Sequence, residues 1–190
     1  MKLVYAAALC AVLGARAAYA EDVNLYANLG YGSLHGGQIT TGEITGRIGA
    51  RFGDYLGVEG EVSTGLGDHR YIYEPPCHAP VCTIAIFLLK AKLDNAEAAY
   101  AVGFLPILPN ADLFARIGYG TSHYGTDGVI GRGFDPQGMN IGAGAQYFID
   151  GANGLRFDYT HSDLHSNNAF GREALGRSAD TWSIAYTREF

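Results

Sequence analysis

The chain of 190 residues carries 13 basic against 19 acidic side chains. A net charge of -6 excludes a nucleic-acid partner, because phosphate binding needs basic surface. The length sets one domain, and 27 glycines with 13 tyrosines do not compose a helical protein.

The N-terminus reads as a secretory signal, residues 1–20. Lys2 gives the positive start, Leu3 to Gly14 the apolar run, and Ala18-Tyr19-Ala20 the small residues a signal peptidase accepts. Cys10 follows Ala7-Ala8-Leu9, which is no lipobox, and lies inside the discarded peptide. The mature domain is then residues 21–190. It holds no run approaching the ~20 apolar residues of a membrane helix. Its longest, Thr83 to Leu89, is closed by Lys90 and Lys92.

Eight segments of period-two alternation follow, the pattern of strands with two unlike faces. The first sets Val23, Leu25, Ala27, Leu29 and Tyr31 against Asn24, Tyr26, Asn28, Gly30 and Gly32. The second sets Ile44, Ile48, Ala50 and Phe52 against Glu43, Thr45, Arg47, Gly49 and Arg51. The third opposes Leu56, Val58 and Val62 to Gly57, Glu59, Glu61 and Ser63. The fourth opposes Ala96, Ala98, Tyr100, Val102 and Phe104 to Glu97, Ala99, Ala101 and Gly103. The fifth has Leu113, Ala115, Ile117 and Tyr119 against Phe114, Arg116, Gly118 and Gly120. In the sixth, Ile141, Ala143, Ala145 and Tyr147 oppose Asn140, Gly142, Gly144 and Gln146. In the seventh, Leu155, Phe157 and Tyr159 oppose Arg156, Asp158 and Thr160. The eighth places Trp182, Ile184, Tyr186 and Phe190 against Thr181, Ser183, Ala185, Thr187 and Glu189.

A soluble sandwich or lipocalin-like barrel also alternates. Here, however, the polar face carries Glu43, Arg47, Arg51, Glu59, Glu61, Glu97, Arg116, Arg156 and Asp158 in mid-strand. The apolar face is aliphatic in the middle and aromatic toward its ends. Such a face suits lipid, with the charged set filling the lumen in compensating pairs, and a closed barrel leaves no edge in lipid. The fold class is therefore all-β, an eight-stranded antiparallel up-and-down transmembrane β-barrel.

Connections alternate short and long. The short ones are Gly53-Asp54-Tyr55, Pro106 to Asp112 and Asp150 to Gly154; the long ones run over Leu66 to Phe87, Ser122 to Gln137 and Ser162 to Ala179. A brief loop spans Leu34 to Gln38. Short turns belong to the periplasm and long loops to the outside, with both termini periplasmic. A three-residue turn at 53–55 puts Phe52 opposite Leu56 and Arg47 opposite Glu61, with Arg51 diagonal to Glu59. Both charged combinations are expected as lumenal ion pairs, favouring a plugged lumen over an open pore.

The chain resembles the small outer-membrane barrels of the opacity-protein and OmpA transmembrane-domain type. The resemblance rests on Leu56 to Glu61, Tyr100 to Pro106, Leu113 to Gly120, Gly142 to Tyr147, Leu155 to Thr160 and Trp182 to Phe190, nearly the whole mature chain. It implies that Ile184, Tyr186 and Phe190 form the signal read by the barrel-assembly machinery. A terminal aromatic would also anchor the closing strand at the interface. The resemblance supports fold and location more than activity. It implies an integral protein of the Gram-negative outer membrane with a structural or surface-interaction role. Its surroundings are outer-membrane lipid and lipopolysaccharide, and no cofactor is implied. An extracellular ligand would be held by the outside loops. A narrow ion or small-solute pore is the alternative.

Three constellations carry further expectations. Cys77 and Cys82, in Pro75-Pro-Cys-His-Ala-Pro-Val-Cys82, lie in the longest outside loop and an oxidising compartment, where a disulfide is expected. A Cys/His metal site with His78 is the other reading. His35, His69, His78, His123, His161 and His165 all fall in or beside outside loops, a rim site for a metal or plain loop composition. His161-Ser162-Asp163, with His165-Ser166, Glu173 and Asp180 nearby, has the side chains of a lipid esterase. The adjacent His-Ser does not match the lipid A deacylase motif, in which one residue separates His from Ser. The expectation is no enzyme.

Overall fold

The computed structural model describes residues 23–73, 87–127, 133–166 and 169–190. Nine strands form one antiparallel sheet: β1 (Val23–Gly36), β2 (Ile39–Phe52), β3 (Leu56–Leu66), β4 (His69–Tyr73), β5 (Phe87–Leu108), β6 (Ala111–Asp127), β7 (Gln137–Phe148), β8 (Asn153–Asp163) and β9 (Ser178–Glu189). A short helix, α1 (Ala169–Leu175), precedes β9. Pairing of β1 with β9 and of both β3 and β4 with β5 closes the sheet into eight staves. The last two short strands are one stave, interrupted at Gly67 and Asp68.

Closure fixes the width. A row of hydrogen-bonded neighbours starting at Leu25 runs through Ala50, Val58, Ala101, Ile117, Ile141, His161 and Asp180. It returns to β1 at His35, ten residues beyond its start. Eight staves with that stagger imply a strand tilt of about 40° and a radius of about 8 Å, room for side chains and little else.

Polarity is inverted relative to a soluble protein. Leu29 is 64 % exposed and Val62 60 %, while Arg156 is 0 % and Asp158 1 % exposed. Outward aromatics form two belts: Tyr31, Tyr119 and Trp182 toward the long loops, and Phe52, Tyr55, Tyr147 and Phe190 toward the turns. Belts of this kind suit the two interfaces of a bilayer. Ile184, Tyr186 and Phe190 all lie exposed on the outer side of the closing strand.

The fourth segment is turned over relative to the sequence expectation. Tyr100, Val102 and Phe104 are buried in the lumen, whereas Ala99, Ala101 and Gly103 face out. Glu97 therefore leaves the lumenal charge set: its ladder neighbours are outward Val62 and Thr121. The reason is volume. The turn-side half of the lumen needs rings, and Tyr26, Phe104 and Phe114 pack there edge-on and tilted, at 6.1 and 6.4 Å between centroids. Small residues toward lipid cost little, so hydrophobicity alone did not orient this strand. A bulge at Leu93/Asn95 adds to the ambiguity, because it switches the inward parity from Ala91 and Leu93 to Ala98 and Tyr100.

Two further differences lie at the loop end. The loop expected from Leu66 to Phe87 is partly a strand extension, β4 on β5. The last loop contains α1, ended by Gly176 at φ 73°, whose amide donates to Arg172 O at 3.0 Å.

At the opposite end, Asp150 organises the β7–β8 turn. Its carboxylate accepts from Asn153 N at 2.6 Å, Ala152 N at 3.1 Å and Asn153 Nδ2 at 2.8 Å. The Asn153 amides, backbone first, hold this carboxyl below the usual aspartate value. A lowered folded value gives stability that is present above the ordinary value and is lost as pH falls through the folded one. In an NMR titration Asp150 is expected to have a midpoint below that of an ordinary aspartate. Asn153→Ala, which keeps the backbone donor, should move it part-way back, and an unmoved midpoint would refute the side-chain share of that cause.

Candidate functional site

The lumen is organised in layers, each built from the inward positions of several strands. Nearest the turns, Arg51 Nη1 meets Asp112 at 2.9 Å, and Gln146 Nε2 donates to the same carboxylate at 2.8 Å. Arg51 lies over the Phe104 ring at 4.5 Å and donates to Asp54 O at 2.6 Å. The expected pairing of Arg51 with Glu59 is therefore replaced. Although the register leaves the two diagonal, Asp112 of β6 reaches Arg51 across the lumen.

The middle layer is a network of three guanidiniums and three carboxylates. Arg47 and Glu61 are ladder neighbours, with Nε 2.6 Å from the carboxylate. Arg47 also reaches Asp158 at 3.1 Å from the far side of the barrel. Arg116 contacts Glu61 at 2.8 Å, Glu59 at 3.0 Å and Asp158 at 2.8 Å. Arg156 contacts Glu59 at 2.7 Å. Neutral partners add to the carboxylates, although Arg116 Nε and Arg156 Nε have no hydrogen-bond partner among the described residues. Tyr26 Oη donates to Glu59, Tyr100 Oη to Glu61 and Ser183 Oγ to Asp158, while Thr160 Oγ1 accepts from Arg116. Rings flank the cations: Arg116 over Tyr100 at 4.4 Å and Arg156 over Phe114 at 4.0 Å. Buried charges are tolerable only when paired this fully.

Above the network the lumen holds a chamber with Glu43 on its wall. A lid closes the chamber toward the loops. Ile39, Leu93, Tyr124, Phe134, Ala174 and Leu175 form one buried cluster there, with Tyr124 and Phe134 stacked at 4.9 Å. The β1–β2 turn ties into it through Gln38 N, which donates to Ala174 O at 2.8 Å. Gly37 takes φ 54° and lies so close to α1 that a Cβ would be 2.6 Å from Ala174 O. The sequence reading missed this lid, and Gly37 together with Gly176 was the available signal.

Among the described residues the rim histidines do not gather at one point, although His35 and His161 both neighbour Asp180. His35 Nδ1 contacts Thr40 Oγ1 at 2.6 Å, His123 pairs with Asp135, and His161 Nδ1 meets Asp180 at 2.7 Å. His69 is half-buried and His165 exposed. Among the described residues no group of three or more His, Cys, Asp or Glu could hold a metal ion. Strand alternation also separates the esterase-like residues, since Ser162 lines the lumen while His161 turns out to Asp180. Cys77, Cys82 and His78 lie outside the described residues.

The whole of this barrel, and more, falls within one family pattern: residues 5–190 match the outer membrane protein beta-barrel domain. The chain belongs to that family. It is an outer-membrane β-barrel protein of a Gram-negative bacterium, of the small eight-stranded kind. Among solved structures the fold is similar to the N-terminal β-barrel domain of Pseudomonas aeruginosa OprF, at 11 % identity and TM-score 0.57, covering 88 % of this chain and 97 % of that one. Neisserial surface protein A matches at 12 % identity and TM-score 0.54, covering 88 % and 97 %. Ail of Yersinia pestis matches at 12 % identity and TM-score 0.52, covering 89 % and 98 %. Identities this low speak for the fold. Among curated proteins no match is found.

Proposed function

We propose that this outer-membrane β-barrel protein is a closed scaffold that presents its four long-loop-end connections at the cell surface, with its turns and both termini in the periplasm. The observation that carries this reading is the lumen itself. Arg47, Arg116 and Arg156 interlock with Glu59, Glu61 and Asp158 across the full width, and the lid seals the loop end above them. Ions crossing such a lumen would have to break several buried, mutually satisfied pairs.

On this reading residues 1–20 are removed on export, and the mature domain is 21–190. Ile184, Tyr186 and Phe190 present the assembly machinery with an exposed apolar edge on the closing strand. The outward belts contact lipid and, at the loop end, lipopolysaccharide. Any extracellular ligand is held by the loops, where a Cys77–Cys82 disulfide would stiffen the longest tip.

Planar-bilayer recording is the test. The intact protein is expected to give no resolvable steps. Regular steps, altered in selectivity by neutralising Glu61, would establish a pore in place of the scaffold.

A further inference from the structure

Among the described residues each lumenal arginine is matched by a carboxylate. Arg47, Arg116 and Arg156 face Glu59, Glu61 and Asp158, and Arg51 faces Asp112. Glu43 is 95 % removed from solvent, being 5 % exposed, and has no basic partner at ion-pairing distance among the described residues. Among the described residues its one hydrogen bond is a long one, from Thr45 Oγ1 at 3.4 Å. An ionised carboxylate so placed is costly unless something neutralises it.

The space beside it suits a small occupant. Glu43 lines a chamber of about 60 Å³ together with Ser63, Tyr100, Asn140, Thr160 and Thr181, with Arg47 and Arg116 on its floor. A volume of that size holds about four water-sized bodies. Hydroxyl and amide oxygens are the hard neutral donors that alkali cations accept, and a single carboxylate supplies one negative charge. The backbone makes the room. Both ladder neighbours of Glu43 are glycines, Gly32 on β1 and Gly65 on β3. A Cβ at Gly32 would be 3.1 Å from Glu43 Oε1 and 3.2 Å from its Cγ, pressing on the carboxylate.

We infer that Glu43 and the chamber oxygens form a binding site for one partly hydrated monovalent metal cation, sodium or potassium, held between the charge network and the lid. The cation neutralises Glu43, while the guanidiniums of Arg47 and Arg116 on the chamber floor are held at ion-pairing distance by other carboxylates. The inference rests on the closed lumen proposed above.

Protein extracted from outer membranes and crystallised in rubidium or thallium salt tests it. An anomalous peak is expected within about 3 Å of the Glu43 carboxylate, as for a directly ligated large cation. It should vanish in Glu43→Gln and weaken in Gly32→Ala. In detergent at constant ionic strength, exchanging choline for potassium should raise the wild-type unfolding temperature by about 3 °C and leave Glu43→Gln unmoved. No peak together with cation-independent unfolding would overturn the site and leave a proton as the neutralising partner. Bilayer recordings on the same preparation keep the two failures apart. A conducting barrel sinks the scaffold reading, whereas a silent barrel without the peak sinks only the cation site.

Discussion

Arg116→Met is expected to destabilise the barrel by about 3–5 kcal/mol, the range for removing one partner of a buried charge network. Arg116 touches all three carboxylates of the middle layer. Methionine fills much of its volume but leaves one excess negative charge buried in the layer. The chain has a single tryptophan, Trp182, on the outer belt, so its fluorescence during urea unfolding in lipid vesicles reads the change directly. The double change Arg116→Met with Glu61→Gln should recover part of the loss, because it restores the balance of charge in the layer. A single variant as stable as wild type would mean that the network contributes nothing. The same variant is the one most expected to leak ions in bilayers.

The second large effect is steric. Gly144 sits between Phe114 on β6 and Asp158 on β8 in the ladder. A Cβ there would lie 2.5 Å from Phe114 Cζ and 2.8 Å from Asp158 Cβ, and would also meet the Phe157 carbonyl. Phe114 cannot retreat, since Arg156 lies on its ring at 4.0 Å. Gly144→Val should cost about 3 kcal/mol or more through overpacking. It should also reduce the fraction of protein that reaches the compact, heat-modifiable form on gel electrophoresis. Normal folding yield would show that the ring and the guanidinium can shift together. By contrast Gly46→Val, whose nearest neighbour is Val62 Cγ2 at 3.7 Å on the lipid side, should fold normally.

Strand number, closure and the faces of seven segments were legible because side-chain period two is a strong signal wherever one face meets lipid and the other charge. The pairing of Phe52 with Leu56 followed from a three-residue turn and parity alone. What failed had a physical cause each time. On β5 both faces carry apolar residues, so Ala99 and Ala101 against Tyr100 and Val102 is a contest of size, which polarity does not decide. Arg51 could be placed on the lumenal face, but its partner could not. Choosing Asp112 over Glu59 depends on which side chains meet across the barrel, and only the stagger of the closed sheet sets that. The lid was hidden for a similar reason: Ile39, Leu93, Tyr124, Phe134 and Leu175 come from five separated stretches that only the closed sheet brings together. The solitary position of Glu43 emerged only once the lumenal arginines had been matched to their carboxylates.

Gln38 gives the loop end a mechanical property. Its side-chain amide behaves like a miniature strand, with Nε2 donating to Ile72 O at 3.2 Å and Glu173 O at 3.4 Å, and Oε1 accepting from Ile72 N at 3.2 Å. One residue thereby rivets the first hairpin to β4 and to α1. Three connections that are far apart in the chain would then recoil as a single plate when any one of them is pushed. An antibody raised against the first hairpin should accordingly slow amide exchange at Ile72, and Gln38→Ala should let the three connections exchange independently.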